Sequence, residues 1–248
     1  MTVRPWSWLR TSPLNSTTAP VVESLTKAFT ASAFMRVSVT SERWTVAGII
    51  TSLWWTMANS ALPPLNLAGN DHMAGLVLAA GSGQRFGGPK APFVWENERL
   101  VDRSVRILRE SGVATVFVVL GAWIGEVPRA TVLENLDFAT GMASSLRVGL
   151  EHLTTNEPEV DRVVITLVDH IGLNVEGLNE LCAHEGRLIQ SIYGNEVGHP
   201  VIIGREHWAA LITELVGDVG AKNYLRKNNA LQVALGEFAS GTDLDHRP

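Results

Sequence analysis

Leu78-Ala79-Ala80-Gly81-Ser82-Gly83-Gln84-Arg85-Phe86-Gly87-Gly88-Pro89-Lys90 turns from hydrocarbon to glycine and then to cation. The apolar run Leu76–Ala80 in front of it has the content of a short buried strand. Beyond it, Gly81, Gly83, Gly87 and Gly88 let the backbone take positive φ and approach a ligand closely. Consecutive N–H groups on such a loop converge on phosphate oxygens. Arg85 and Lys90 add positive charge on either side. Two well-known loops do not fit. A Walker A loop needs Gly-Lys-Ser/Thr, and here Pro89 separates Gly88 from Lys90 and Ala91 follows. The Rossmann fingerprint needs its third glycine one residue before Gly87.

Outward from this loop, strand-like and helix-like segments alternate. Val101–Ser111 has helical spacing, and Ala114–Leu120 is apolar and β-branched as a strand buried on both faces should be. Met142–Leu153 reads as helix, Arg162–Val168 as strand, Val175–His184 as helix and Leu188–Tyr193 as strand. Arg205–Leu215 and the short Ala221–Lys227 read as helices. The alternation predicts an α/β fold with a mostly parallel sheet. Sites in such sheets lie outside the carboxyl ends of the strands. The exits to examine are Ala80–Lys90, Gly121–Ile124, Asp169–Leu173 and Gly194–Pro200.

The chain has 248 residues and a net charge of −5, with one cysteine, Cys182. A disulfide scaffold is excluded, and a reducing, cytoplasmic setting is expected. The acidic balance argues against a nucleic-acid partner. Residues 1–72 differ from the rest: they hold five basic and three acidic side chains, whereas 73–248 hold fifteen and twenty-two. Trp44–Asn70 carries no charge, but Thr, Ser and Asn interrupt it and Pro63-Pro64 breaks it, so a membrane span is not expected. Residues 1–72 are read as a poorly ordered N-terminal extension, or as the product of an upstream start codon. Residues 73–248 are read as the working α/β domain.

The glycine loop resembles the signature of the nucleotidyltransferases related to molybdenum-cofactor guanylyl- and cytidylyltransferases. Further blocks follow in the family's order: Gly141-Met-Ala-Ser-Ser-Leu-Arg147, Leu167-Val-Asp169, Gly198-His-Pro200, Gly217-Asp-Val-Gly-Ala221 and Asp243-Leu-Asp245. The resemblance covers most of residues 73–245 and implies a three-layer α/β sandwich of the nucleotide-diphospho-sugar transferase type, Rossmann-like in its layering. It implies that Ala80, Gly81, Ser82, Gly83, Arg85 and Lys90 bind the nucleotide's phosphates, with Ser144 and Ser145 at the base pocket. The two serines are also plausible as a helix N-cap. Asp169, with Asp243 or Asp245, would hold Mg²⁺. His199 would face the second substrate, a small aromatic or pterin-like molecule, or serve only structure. Asp218 belongs either to a ligand-side loop or to the cap of the helix at 221–227.

Two departures stand out. The family writes Val-Asp-Gln-Pro at its metal strand, and this chain writes Val168-Asp-His-Ile171. The family's terminal Asp-x-Asp-Thr-Pro-Glu-Asp becomes Asp243-Leu-Asp-His-Arg-Pro248. Metal ligands depend on the groups that orient them, so two activities are carried forward. One is NAD(P)H-dependent reduction of a quinone-like pigment from nicotine breakdown, the work of one branch that the blocks around His199–Trp208 resemble. There His170 or His199 would protonate the reduced oxygen. The other is Mg²⁺-dependent cytidylyl transfer from CTP to a molybdopterin-type acceptor. A flavin requirement and the oligomeric state are not legible.

Overall fold

A computed structural model describes residues 72–248. All of the expected leader but its last residue lies outside the described residues. The elements run β1 (Met73–Leu78), β2 (Val94–Trp95), β3 (Glu98–Arg99), α1 (Leu100–Glu110), β4 (Thr115–Leu120) and β5 (Thr131–Glu134). A 3-10 turn (Phe138–Thr140) leads into α2 (Met142–Asn156), followed by β6 (Arg162–Leu167), α3 (Val175–Cys182), β7 (Leu188–Tyr193) and β8 (Glu196–Gly204). The described chain closes with α4 (Arg205–Glu214), α5 (Lys222–Lys227) and β9 (Leu231–Ala234).

Seven strands form one sheet in the order β5-β4-β1-β6-β8-β7-β9, and β2 and β3 make a separate short pair. β5, β4, β1 and β6 are parallel, and β8 alone runs against its neighbours. The sheet is covered on both faces, which gives the three layers. On β1, Met73 and Val77 pack into a core with α1 and α3, while Ala74, Leu76 and Leu78 pack into a core with α2, α4 and α5. All six residues of β1 are buried, as expected of a central parallel strand. Helices that return antiparallel to the strands bring their N-termini to the carboxyl edge of the sheet, where ligands bind. α3 starts there on Asn174, whose side chain accepts from the Gly177 N–H at 2.8 Å.

One expected strand exit is instead a strand. Gly194–Pro200 is not an open loop, because β8 begins at Glu196 and continues to Gly204. Gln190 pairs with Val201, yet the next residue, Ser191, pairs with Gly198. His199 and Pro200 therefore stand in a bulge. Proline has no N–H for the ladder, and bulges are where sheets accept it. The Pro200 carbonyl still finds a partner in the Ser191 hydroxyl at 2.6 Å.

Candidate functional site

A cavity of about 590 Å³ opens at the carboxyl edge of β1 and β6. One wall is the glycine loop, Leu78 to Gln84 with Lys90. A second is Phe138, Ala139, Gly141, Met142 and Ser145, at the start of α2. The floor is Leu167, Val168 and Asp169, and Asp218 closes the rim.

The glycine loop owes its shape to backbone contacts. Gly83 has φ +60°, and the Gly88 N–H donates back to its carbonyl at 3.1 Å. A Cβ on Gly83 would stand 2.0 Å from the Gly88 oxygen, so no other residue fits there. The N–H groups of Gly81, Ser82 and Gly83 donate to no group of the described residues. All three residues line the cavity, where consecutive donors of this kind can serve as an anion nest. Lys90, at the far end of the loop, is largely buried at 14% side-chain exposure. Its ammonium donates to Asp169 Oδ2 at 2.7 Å and lies 3.5 Å from Asp245 Oδ1.

The α2 end is built from hidden polar contacts. Asn135 is buried, and its amide nitrogen donates to the hydroxyls of Ser144 (2.8 Å) and Ser145 (3.0 Å). Its amide oxygen accepts from the Asp137 N–H at 3.0 Å. Ser144 and Ser145 thus lie inside the first turn of α2 and are not its N-cap, which is Gly141. The cap contact comes from Asp218, whose carboxylate accepts from the Met142 N–H at 3.2 Å. Gly141 has φ +116°, and a Cβ there would meet Asp218 at 2.6 Å. Asp218 therefore caps α2 and not the helix at 222–227. Its carboxylate also matches the positive end of the α2 dipole.

Behind Asp169, the chain end docks as a strap. The Leu244 N–H donates to the Asp169 carbonyl at 2.9 Å. Gly172 and the strap exchange two bonds, to Thr242 (3.0 Å) and from Ser240 (3.1 Å). His170 is 4% exposed, and its Nε2 lies 2.9 Å from the Ser240 carbonyl. A carbonyl only accepts, so that nitrogen is the protonated one. Partial burial and the neighbouring Asp169 push the Asp243 carboxyl above its ordinary range. Burial, with His170 beside it, pushes the His199 imidazole down to about 4. His199 is neutral at pH 7 and has no imidazolium proton to give. Tyr193 links the two histidines: its ring meets His170 edge-on at 5.8 Å, and its hydroxyl donates to the His199 carbonyl at 2.8 Å.

Of the residues singled out from sequence, Ala80, Gly81, Ser82, Gly83, Lys90, Ser145 and Asp169 line the cavity. Ser144 lies beside it, held by Asn135. Asp245 joins through Lys90, and Asp243 pairs backbone to backbone with His170. Arg85 is exposed and outside the lining. The cation that does pack on the loop's outer side is Arg247, 5.4 Å from the Phe86 ring centre and 3.3 Å from the Gly87 carbonyl. His170 and His199 also lie outside the lining, the first in the strap's docking and the second in the β8 bulge. Sequence reasoning missed Gln84, Phe138, Ala139 and Asn135. Phe138, Ala139 and Asn135 belong to no recognisable motif, and Gln84 stood unremarked inside the glycine loop. Among the described residues, no group of three or more His, Cys, Asp or Glu is arranged to hold a metal ion, and no helix is long and apolar enough to cross a membrane.

Comparison with known proteins agrees with this architecture. The MobA-like NTP transferase domain profile matches residues 75–233. Nicotine blue oxidoreductase of Paenarthrobacter nicotinovorans is 29% identical over 191 residues, covering 70% of this chain and 92% of that protein. Among solved structures, a nucleotidyl transferase from Methanothermobacter thermautotroptrophicus superposes with a TM-score of 0.58 at 19% identity, over 71% of this chain and 92% of the other. Rv0371c of Mycobacterium tuberculosis, solved in complex with manganese, gives 0.52 at 21% identity, over 66% and 88%. At these identities the structural likenesses speak for the fold: it is that of the nucleotidyltransferases.

Proposed function

We propose, from the premise that the chain belongs to the MobA-like NTP transferase domain family, that it transfers a nucleotidyl group from CTP to a small pterin-like acceptor. The observation that carries this reading is the Lys90–Asp169 pair, 2.7 Å apart, in a cavity whose wall includes Gly81, Ser82 and Gly83, the N–H groups of which donate to no group of the described residues. The triphosphate lies along Gly81, Ser82 and Gly83. Ser145 and the backbone around Gly141 face the base. An acceptor oxygen attacks the α-phosphorus, a new P–O bond forms, and the bond to the β-phosphate oxygen breaks to release pyrophosphate. Lys90 offsets the charge that develops on the phosphoryl oxygens.

The donor set fits a divalent cation. Mg²⁺ is bound through one or two carboxylates plus substrate phosphates, not by an all-protein cage. Asp169 is such a carboxylate, with one oxygen on Lys90, and Asp245 is a second on the same lysine. The ion, when bound, neutralises phosphate charge and fixes the triphosphate in line. The manganese complex of Rv0371c is consistent with this reading.

A second reading is favoured by one observation, the 29% identity to nicotine blue oxidoreductase over nearly its whole length. In that case the N–H nest holds the pyrophosphate of NAD(P)H, and a flat quinone-like acceptor stacks on the nicotinamide. The two readings are tested side by side on the purified full chain. CTP, Mg²⁺ and molybdopterin should release pyrophosphate, and Asp169→Asn should abolish the release. Quinone-dependent loss of NADH absorbance, with no pyrophosphate from any nucleoside triphosphate, would overturn the first reading in favour of the second.

A further inference from the structure

Arg99, just before α1, and Arg103 and Arg106, within it, behave differently. Arg99 holds Asp102, and Arg106 holds Glu98 at 2.8 Å. Arg103, between them, gives its fork to backbone carbonyls instead. One terminal nitrogen donates to Ile171 at 2.7 Å and to Leu173 at 2.8 Å, and the other reaches His170 at 3.4 Å. Burial pushes this guanidinium below its ordinary range, and Arg106 adds to the effect. A half-buried cation without its own carboxylate is expensive to place. Here it satisfies three carbonyls of one irregular loop that accept from no backbone N–H among the described residues.

That loop carries the site. Its first residue, Asp169, presents a carboxylate to Lys90 and a carbonyl to the Leu244 N–H. His170 and Gly172 bind the strap at Ser240 and Thr242. The strap in turn brings Asp245 to the other side of Lys90. Arg103 touches neither the cavity nor either carboxylate, yet both depend on the path of the loop it holds.

We infer that Arg103 is a positioning residue: by clamping the carbonyls of 170, 171 and 173 it sets the spacing of Asp169 and Asp245 across Lys90. The inference rests on the nucleotidyl-transfer reading only for its kinetic consequence. A positional error near reacting groups is costly even when the residue is remote from them.

The test compares Arg103→Met and Arg103→Lys with Arg109→Met in the full chain. Arg109 is the control because it is on the same helix and also donates to carbonyls, those of Ala114 and Arg129, away from the cavity. Hydrogen exchange at the Gly172 and Leu244 amides should speed up by about tenfold or more in Arg103→Met, with the β1 and β6 amides unchanged. Mn²⁺ binding in the presence of CTP, read by electron paramagnetic resonance, should weaken by about tenfold, the scale for groups that orient metal ligands. Pyrophosphate release should lose about tenfold or more in kcat with KM for CTP within about twofold, and Arg103→Lys should recover part of it. Arg109→Met should lower the melting temperature alone.

Unchanged exchange at Gly172 and Leu244 overturns the inference. So does an Arg103→Met variant that loses only melting temperature, as the Arg109 control does. If Arg103→Met fails to fold, Arg103→Lys carries the same comparison. If the wild-type chain never releases pyrophosphate, the proposed function falls, while the exchange and Mn²⁺ measurements still decide the role of Arg103.

Discussion

Asp169 and the incoming phosphates compete for one ammonium, and this makes two substitutions act in opposite directions. In Lys90→Met, a charge-assisted hydrogen bond to phosphate is lost. Such a bond contributes about 1.5–3 kcal/mol, which is about 10- to 100-fold in Kd. In Asp169→Asn, the lysine keeps its charge but its partner at 2.7 Å is no longer an anion, and a negative charge leaves the cavity floor. Two unit charges 4 Å apart interact by about 4 kcal/mol at an effective dielectric of about 20. Asp169 is 21% exposed, so solvent screens much of that, and a gain of about 1 kcal/mol, roughly fivefold, is expected. The assay is CTP binding by calorimetry with EDTA present, so that no cation rewards Asp169. Lys90→Arg serves as the charge-preserving control. Binding that Lys90→Met leaves within twofold of wild type would refute the reasoning. So would metal-free binding that Asp169→Asn weakens, because Asp169 would then be helping nucleotide without a metal.

Four further outcomes follow from other parts of the structure. His199 titrates at about 4 in the fold against 6.5 unfolded, so the unfolded chain takes up its proton first; stability is full above pH 6.5 and falls toward pH 4 by about 3 kcal/mol. Urea unfolding across that range should be flatter in His199→Asn, and parallel pH profiles would contradict the assignment. Gly83→Ala forces a Cβ against the Gly88 carbonyl and should destabilise by about 2 kcal/mol or more. Gly81→Ala meets nothing within 4 Å and should melt like wild type while binding CTP less tightly, because its methyl group enters the cavity wall. Asn135→Ala removes three hydrogen bonds from a buried site and should lower stability by about 1–3 kcal/mol, together with a rise in KM for CTP.

What could be read from the sequence was whatever has a local cause. The helical spacing of Val101, Val105, Ile107 and Leu108 and the apolar run at 115–120 report their own burial, and α1 and β4 stand where expected. The glycine loop was legible as a cavity wall because its glycines, set directly after a buried strand, mark a tight turn at the sheet's carboxyl edge. β8 was not legible, because Gly198 and Pro200 interrupt its pattern and only its pairing with β7 explains the interruption. β5 and β9 are four-residue edge strands, each with three of its four residues at least partly open to solvent, too short for a period to declare itself. The partners of the cavity were hidden for a different reason. Asp218 caps a helix 76 residues earlier in the chain, and Asn135 acts by being buried between β5 and α2, neither of which leaves a local mark. Arg85 was the reverse case: a cation in the motif that is exposed and outside the cavity lining.

The charge of the cavity separates the two activities more sharply than any single residue does. Lys90 is the cation of its lining, and Asp169 and Asp218 are its carboxylates. The lining is therefore net negative before any ligand arrives. Asp218 is committed to the α2 N-terminus, and Lys90 already serves two carboxylates. A nucleoside triphosphate brings roughly twice the phosphate charge of a dinucleotide's pyrophosphate. It binds a net negative floor less tightly unless a divalent cation comes with it, whereas the N–H nest is nearer to sufficient for NADH. CTP affinity should accordingly rise by about tenfold or more on adding Mg²⁺, and NADH affinity should barely move. Calorimetric titration of both nucleotides, with Mg²⁺ and with EDTA, reads this without turnover. Strong metal-free CTP binding would mean that the charge of the lining does not decide which nucleotide binds. In that case the metal would be needed for the chemistry alone.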